Sequence, residues 1–432
     1  MSAVMGELIY QCSIGALVMS ESEKSTHIIL ALGHKTHHNM AILSIPSKRW
    51  AWLACAITSS SALHLPPRQT PDVSACKLAA NPSVDLSAGF GLASTCAPSV
   101  GTLSASMIFV DFSDAPASEG SPSELYDFFL PAAADWYAAS SYGALALDVS
   151  ADTSRFYRMP APAASYDWDR GLTAAAHEKY ILDAVAAYGG SGPAAADVLY
   201  VVPTRNARAI SFSPTYMGAV TPRSGGGAIA KSAVTFGYDA YEAWGSLVLN
   251  HETGHTMCLP DYYPIDGRAT GLFVGGWDLM GLISGPSPEY FAWDKWRLGW
   301  LGDEQVDCVA AAGQSTHVLT PLEVKGGKKA VVVKHNATDV LVAEVRSAQG
   351  LDADSCATGV LLYTVSTETG SGEGPVKVLD ATPNSGGCAD DELNDATLTL
   401  DGTSSYTVPG WGVKVEVTGA DGEQFTISVQ VS

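Results

Sequence analysis

Positive charge is scarce in this chain: 24 Lys and Arg stand against 45 Asp and Glu, a formal net charge of −21 over 432 residues. A surface of that sign repels phosphate backbones and anionic headgroups, so no nucleic-acid partner is expected. Charge of either sign is also sparse, at 16% of residues against 47% hydrophobic. That balance is globular and excludes a largely disordered chain. Long apolar runs are missing as well. Trp50 to Ile57 is too short to span a bilayer and no later run is longer, so no stable membrane insertion is expected. There is no internal repeat and no D-x-D-x-D-G calcium loop; calcium held elsewhere among the many Asp residues stays open. Oligomeric state is not legible.

What the N-terminus does contain reads as targeting. Met40 to Arg49 ends in a basic pair, Trp50 to Ile57 is apolar, and Thr58 to Ala62 is small and polar. These are the n-region, h-region and cleavage zone of a secretory signal. Residues 1–62 are therefore expected to be an N-terminal extension plus signal peptide, with translation naturally starting at Met40 and cleavage near Ala62. The protein is then secreted and extracellular. Residues 63–103 follow as an N-terminal segment or a propeptide.

Beyond Ala62 lie Cys76, Cys96, Cys258, Cys308, Cys356 and Cys388. An even set in a secreted chain suggests disulfides. Local closure favours Cys76–Cys96 and Cys356–Cys388, leaving Cys258 and Cys308 as a pair or free. Asn336-Ala337-Thr338 is an N-glycosylation sequon.

Strand and helix patterns alternate from Ser104 onward. Ser104–Asp114, Ala144–Val149 and Val198–Val202 read as strands. Leu125–Ala139 reads as a helix broken or kinked at Pro131, and Ala174–Tyr188 as a helix capped by Thr173. After about Gly302 only short β-type runs remain, at His317–Leu319, Ala330–Lys334, Val340–Val345, Val360–Val365, Val376–Leu379, Ala396–Leu400, Val413–Val417 and Phe425–Val431. An α/β domain of mixed sheet and backing helices over residues 104–302 is expected, then an antiparallel β-sandwich over 303–432.

The chemistry concentrates in His251-Glu252-Thr253-Gly254-His255. On a helix, residues four apart share a face, so both imidazoles converge on one point, as zinc requires. Trp244, Leu247, Val248, His251 and His255 follow a single helical face. Glu252 reaches the same site as a general base. Pro260 ends the helix and turns the chain, which can bring Asp261 back as third ligand. A lone buried histidine is usually a satisfied core residue; two at this spacing with a carboxylate between them are a zinc motif. An alternative third ligand is Glu289, which could equally cap a following helix. Tyr262, Tyr263 and Tyr290 are nearby oxyanion candidates that packing would also explain.

Read together, H-E-x-G-H-x-x-x-L-P-D at 251–261, Gly275 to Gly281 (GGWDLMG) and Trp293-x-Lys295 with Leu298-Gly299-Trp300 resemble the immune inhibitor A-type metallopeptidases, secreted zinc proteases related to the metzincins. The likeness is most specific over residues 251–301. It implies a zincin-like catalytic domain with one catalytic Zn²⁺ on His251, His255 and Asp261, Glu252 as catalytic base, and Met280 in a supporting methionine turn. The chain departs from that family at Cys258, where glycine is usual. The function expected is a zinc-dependent endopeptidase hydrolysing protein or peptide substrates. The alternative is a zinc-stabilised, catalytically weak extracellular binding module working through its β-sandwich.

Overall fold

The structure is a computed structural model that describes residues 72–432 and, ahead of them, three short strands: β1 (Leu17–Ser22), β2 (Ser25–Leu30) and β3 (Leu43–Ser44). These pair as an antiparallel sheet within a unit of residues 1–68. Apart from β3, the signal-peptide stretch from Met40 to Ala62 lies outside the described residues. Residues 69–432 form a second unit.

Its first sheet contains β4 (Gly101–Asp111), β5 (Leu145–Ala151), β6 (Tyr157–Arg158), β7 (Val198–Pro203), β8 (Thr215–Tyr216) and β9 (Ser232–Thr235). The order is β5-β4-β7-β9-β8, with β6 beside the end of β4; all pairs are parallel except β8 with β9. The continuous apolar run in β4 follows from burial on both faces. Leu103, Ala105, Met107 and Phe109 enter one core, and Ile108 and Val110 the other. Helices α1 (Pro122–Phe129), α2 (Ala132–Ser140) and α4 (Ser246–Thr256) cover the first face, and α3 (Ala174–Tyr188) covers the second.

Local chemistry sets these bounds. Ser121 and Glu124 cap α1 reciprocally, Thr173 Oγ1 accepts from the Ala176 N–H, and Pro131 separates α1 from α2. A last short helix, α5 (Ala292–Arg297), leads into the C-terminal sheets.

Those sheets hold β10 (Val306–Val309), β11 (Gly313–Leu319), β12 (Ala330–Lys334), β13 (Asp339–Arg346), β14 (Gly359–Ser366), β15 (Val376–Val378), β16 (Ser405–Val408), β17 (Val413–Asp421) and β18 (Gln424–Val431). One sheet runs β10-β12-β13-β14-β15 and the other β11-β18-β17-β16. Val331, Val333, Leu341 and Leu362 of the first share a core with Val415, Ile427 and Val429 of the second. The opposite face of the first sheet, with Val332, Val342, Leu361 and Tyr363, joins the core around α4 and α5. Two features differ from the sequence reading. β10 pairs with β12 in parallel, so this sheet is mixed. The run Ala396–Leu400 forms no strand: a tight turn at Glu392–Asp395 precedes it, and it meets β14 only through the bridge from Leu398 to Val360.

The segment before β4 is stitched to α5 and the turn that follows it. Trp293 Nε1 donates to Ala88 O at 2.8 Å, Arg297 Nε and Nη2 donate to Gly89 O and Ser87 O at 2.9 Å each, and Trp300 Nε1 donates to Ser99 O at 2.6 Å. Two disulfides tie it further, Cys76–Cys308 and Cys96–Cys258; a third is Cys356–Cys388. The expected Cys76–Cys96 pair is therefore wrong, and Cys258 and Cys308, left as a pair or free, are each bonded to one of those two cysteines instead, while Cys356–Cys388 stands. Loop-closure cost grows only slowly with length, so proximity in sequence is a weak guide, and the strap's path decides. Disulfides fit an oxidising compartment. Among the described residues no helix is long and apolar enough to cross a membrane. Asn336 is exposed in the turn between β12 and β13.

Candidate metal centre

Helix α4 begins after Gly245, whose φ of +59° ends the separate turn Ala240–Trp244. Residues Val248 to Thr256 are all buried. The helix thus lies inside the molecule, and the one-sided stripe read from the sequence does not describe it: Trp244 and Leu247 are only half-buried. Its interior position puts His251, Glu252 and His255 out of bulk water.

The chain turns back directly after α4. Cys258 takes φ +67°, Leu259 N–H returns to Gly254 O at 3.1 Å, and Pro260 leads to Asp261. Asp261 Oδ1 then lies 3.3 Å from His251 Nε2 and 3.2 Å from His255 Nε2. The left-handed conformation expected of glycine is therefore kept by a cysteine, held in place by its bond to Cys96. A Cys258 locked in a disulfide is not a metal ligand.

The hydrogen bonds fix which atoms face inward. His251 Nδ1 pairs with Leu279 O and His255 Nδ1 with Leu259 O, both at 2.8 Å. Each Nδ1 is therefore the protonated nitrogen, and each Nε2 turns a lone pair toward Asp261. Asp261 Oδ1 is buried without a hydrogen-bond partner. Three acceptors facing one another repel unless a cation or a proton lies between them. Ligands held tetrahedrally at about 2.0–2.1 Å from one ion would stand about 3.3–3.4 Å apart, close to the spacing here. The donor set therefore fits a divalent ion that accepts imidazole and carboxylate. Without an ion a proton serves: burial disfavours charge on His255, but Asp261 outweighs it and raises the imidazole to about 9. Burial likewise works against the Asp261 carboxylate, and His255 overrides it and holds the group well below the usual carboxylate range.

Glu252 lies close enough to be grouped with the two histidines, their ligand atoms all within 4.8 Å of one another. Asp261 is the better candidate for a third ligand, because Glu252 is already engaged. Its Oε2 accepts from Thr215 Oγ1 at 2.7 Å, and the same hydroxyl touches Glu252 O at 2.9 Å. Burial pushes the Glu252 carboxyl upward against the pull of both imidazoles. Thr215 belongs to β8, the edge of the first sheet; its alternation is too short to find in the sequence.

The GGWDLMG segment supports the site from beneath. Leu279 O orients His251, Met280 O accepts from the Tyr262 N–H at 2.8 Å, and Asp278 accepts from the N–H groups of Met280 and Phe291 at 2.7 and 2.6 Å. Met280 lies against Gly254, where an added Cβ would meet Met280 Sδ at 2.7 Å and Tyr290 Oη at 2.6 Å. Of the three tyrosines, Tyr262 donates to Asp294 at 2.6 Å and Tyr290 to Asn250 O at 3.1 Å, both fully buried behind the helix. Only Tyr263 faces the centre, its ring centroid 6.2 Å from that of His251.

Glu289 is engaged elsewhere. Its carboxylate pairs with Lys295 at 3.1 Å and also accepts from Ser140 and the Tyr290 N–H. Besides Thr215, the sequence reading missed Ser371, between β14 and β15, which touches Asp261 through its hydroxyl. The only signal was its glycine-rich surroundings, Gly370-Ser371-Gly372-Glu373-Gly374. No protein-family model matches this chain, and no curated protein matches it.

Proposed function

We propose that this chain is a zinc-dependent endopeptidase of the immune inhibitor A type, acting outside the cell on protein or peptide substrates. The observation that carries the proposal is Asp261 Oδ1, buried, otherwise unpartnered and 3.2–3.3 Å from both histidine Nε2 atoms, with Glu252 beside them. His251, His255 and Asp261 would hold the ion, which supplies a Lewis acid to polarise a peptide carbonyl and make a water acidic. Glu252, raised by burial and steadied by Thr215, would take the proton of the attacking water and hand it to the leaving amine. An ion held for structure alone would need no such base.

The sheet order supports a peptide substrate. β8 is an edge strand with Thr215 in contact with Glu252, so an extended peptide adding to that edge would pass across the base. The three disulfides and the secretory-type N-terminus support an extracellular setting.

The test is casein cleavage by the purified mature chain, with and without a zinc chelator, beside Glu252→Gln. We expect chelation to abolish cleavage and readded zinc to restore it. Glu252→Gln should keep stoichiometric zinc and lose about 10²–10⁴ in rate. Near-normal cleavage by a zinc-loaded Glu252→Gln would sink the mechanism.

A further inference from the structure

We infer that Ser371, from the C-terminal sheets, is a positioning residue for the metal centre: its hydroxyl aims the Asp261 carboxylate at the two histidines. The inference rests on the metal reading above and names a residue whose role that reading does not require.

The geometry starts at the backbone. Asp261 N–H donates to Ser371 Oγ at 2.8 Å, and Gly372 N–H donates to Asp261 O at 3.0 Å. Ile265 N–H then donates to Gly372 O at 3.3 Å. The turn after α4 and the loop between β14 and β15 are thus bound side by side. Because Ser371 Oγ accepts from the amide, its own hydrogen is free to donate, and it points to Asp261 Oδ2 at 3.4 Å. That bond occupies the outer carboxylate oxygen and leaves Oδ1, the unpartnered atom, facing both Nε2 atoms. One hydroxyl therefore fixes both the main chain and the side chain of a single ligand.

The loop is built to hold Ser371 there. Gly372 sits at φ +74°, which favours glycine, and a Cβ on it would run into the Ile265 side chain at 2.5 Å. On the other side Ser371 N–H donates to Asp85 O at 2.9 Å, so the N-terminal strap braces the loop. Groups that orient metal ligands in this way commonly change affinity about 10–100-fold when removed.

The test measures Zn²⁺ affinity of the full chain by competition with a chromogenic chelator, with no substrate present. Ser371→Ala removes one half-buried hydroxyl and should weaken zinc binding about 10–100-fold. Ser371→Thr keeps the hydroxyl and should bind within a few-fold of wild type. Glu368→Gln alters the loop's contact with Asn81 at 3.3 Å without touching Asp261, and should leave affinity unchanged. Wild-type affinity in Ser371→Ala overturns the inference alone. So does an equal loss in Ser371→Thr or in Glu368→Gln, since loop placement and not the hydroxyl would then be responsible. A wild-type chain that binds no zinc overturns the metal reading itself, and this inference with it.

Discussion

Cys96 is bridged to Cys258, which holds φ +67° midway between the second histidine, His255, and Asp261. Besides the disulfide, Ala97 N–H donates to Thr256 O at 2.7 Å. The strap therefore clamps the turn that carries Asp261 back to the two histidines. A left-handed conformation costs a residue with a Cβ about 1–2 kcal/mol, and the disulfide offsets this.

The clamp predicts an ordering of variants. Cys96→Ser alone should lower stability by about 2–5 kcal/mol, as loss of a native disulfide does. Adding Cys258→Gly to it should recover about 1 kcal/mol by relieving the left-handed strain. The double variant should still bind one zinc, because Asp261 keeps its bonds to Ser371 and Gly372. Thermal denaturation and metal content check both points; zinc lost only when Cys258 is changed would revive it as a ligand.

Asp261 and Glu289 are separated by their partners. Asp261→Ala removes the atom that faces both imidazoles and should lose most zinc affinity while the chain stays folded. Glu289→Gln should keep zinc. It leaves fully buried Lys295 without its carboxylate at 3.1 Å, so it should cost about 3–5 kcal/mol of stability. Zinc content by elemental analysis and a denaturant titration separate the two effects. The reverse result, zinc lost with Glu289 and kept without Asp261, would reassign the ligand.

Gly254 is the interior position at which the histidine helix meets Met280. Gly254→Ala adds a Cβ within 2.7 Å of the Met280 sulfur and 2.6 Å of the Tyr290 hydroxyl. Overpacking of this kind costs about 1–3 kcal/mol. It should also weaken zinc binding, because the same segment carries the Leu279 carbonyl that orients His251. Shortening the neighbour in Gly254→Ala/Met280→Ala should return part of the lost stability, read from melting temperatures in a double-mutant cycle.

The two histidines and Glu252 were legible because their relation is covalent: spacing on a helix sets which side chains converge. Asp261 was legible because Pro260 forces a turn within a few residues. Ser371 was not, since it reaches Asp261 across a separation of 110 residues and its type, serine between glycines, marks any loop. The Cys76–Cys96 pairing failed for a related reason: the strap across α5 brings Cys76 to Cys308 over a separation of 232 residues. Strands rich in valine were found, yet the parallel pairing of β10 depends on a neighbour that periodicity does not name.

His177 supplies the test of pH dependence. It lies on α3, 4% exposed, between the Trp168 and Tyr216 rings, with Nε2 3.0 Å from Thr235 Oγ1. Burial lowers its imidazole from 6.5 to about 4. Between those values the unfolded chain binds a proton that the folded chain refuses. Stability therefore rises with pH across this window, is flat above 6.5 as far as His177 is concerned, and falls as pH drops toward 4. At about 1.4 kcal/mol per pKa unit the loss amounts to roughly 3 kcal/mol. His177→Gln can keep a hydrogen bond to Thr235 and does not titrate, so its stability should fall less steeply than wild type between pH 6.5 and 4. Urea denaturation of both proteins at several pH values in that window measures the difference. Parallel curves would mean that His177 titrates normally in the folded chain and that its pocket beneath Tyr216 admits water.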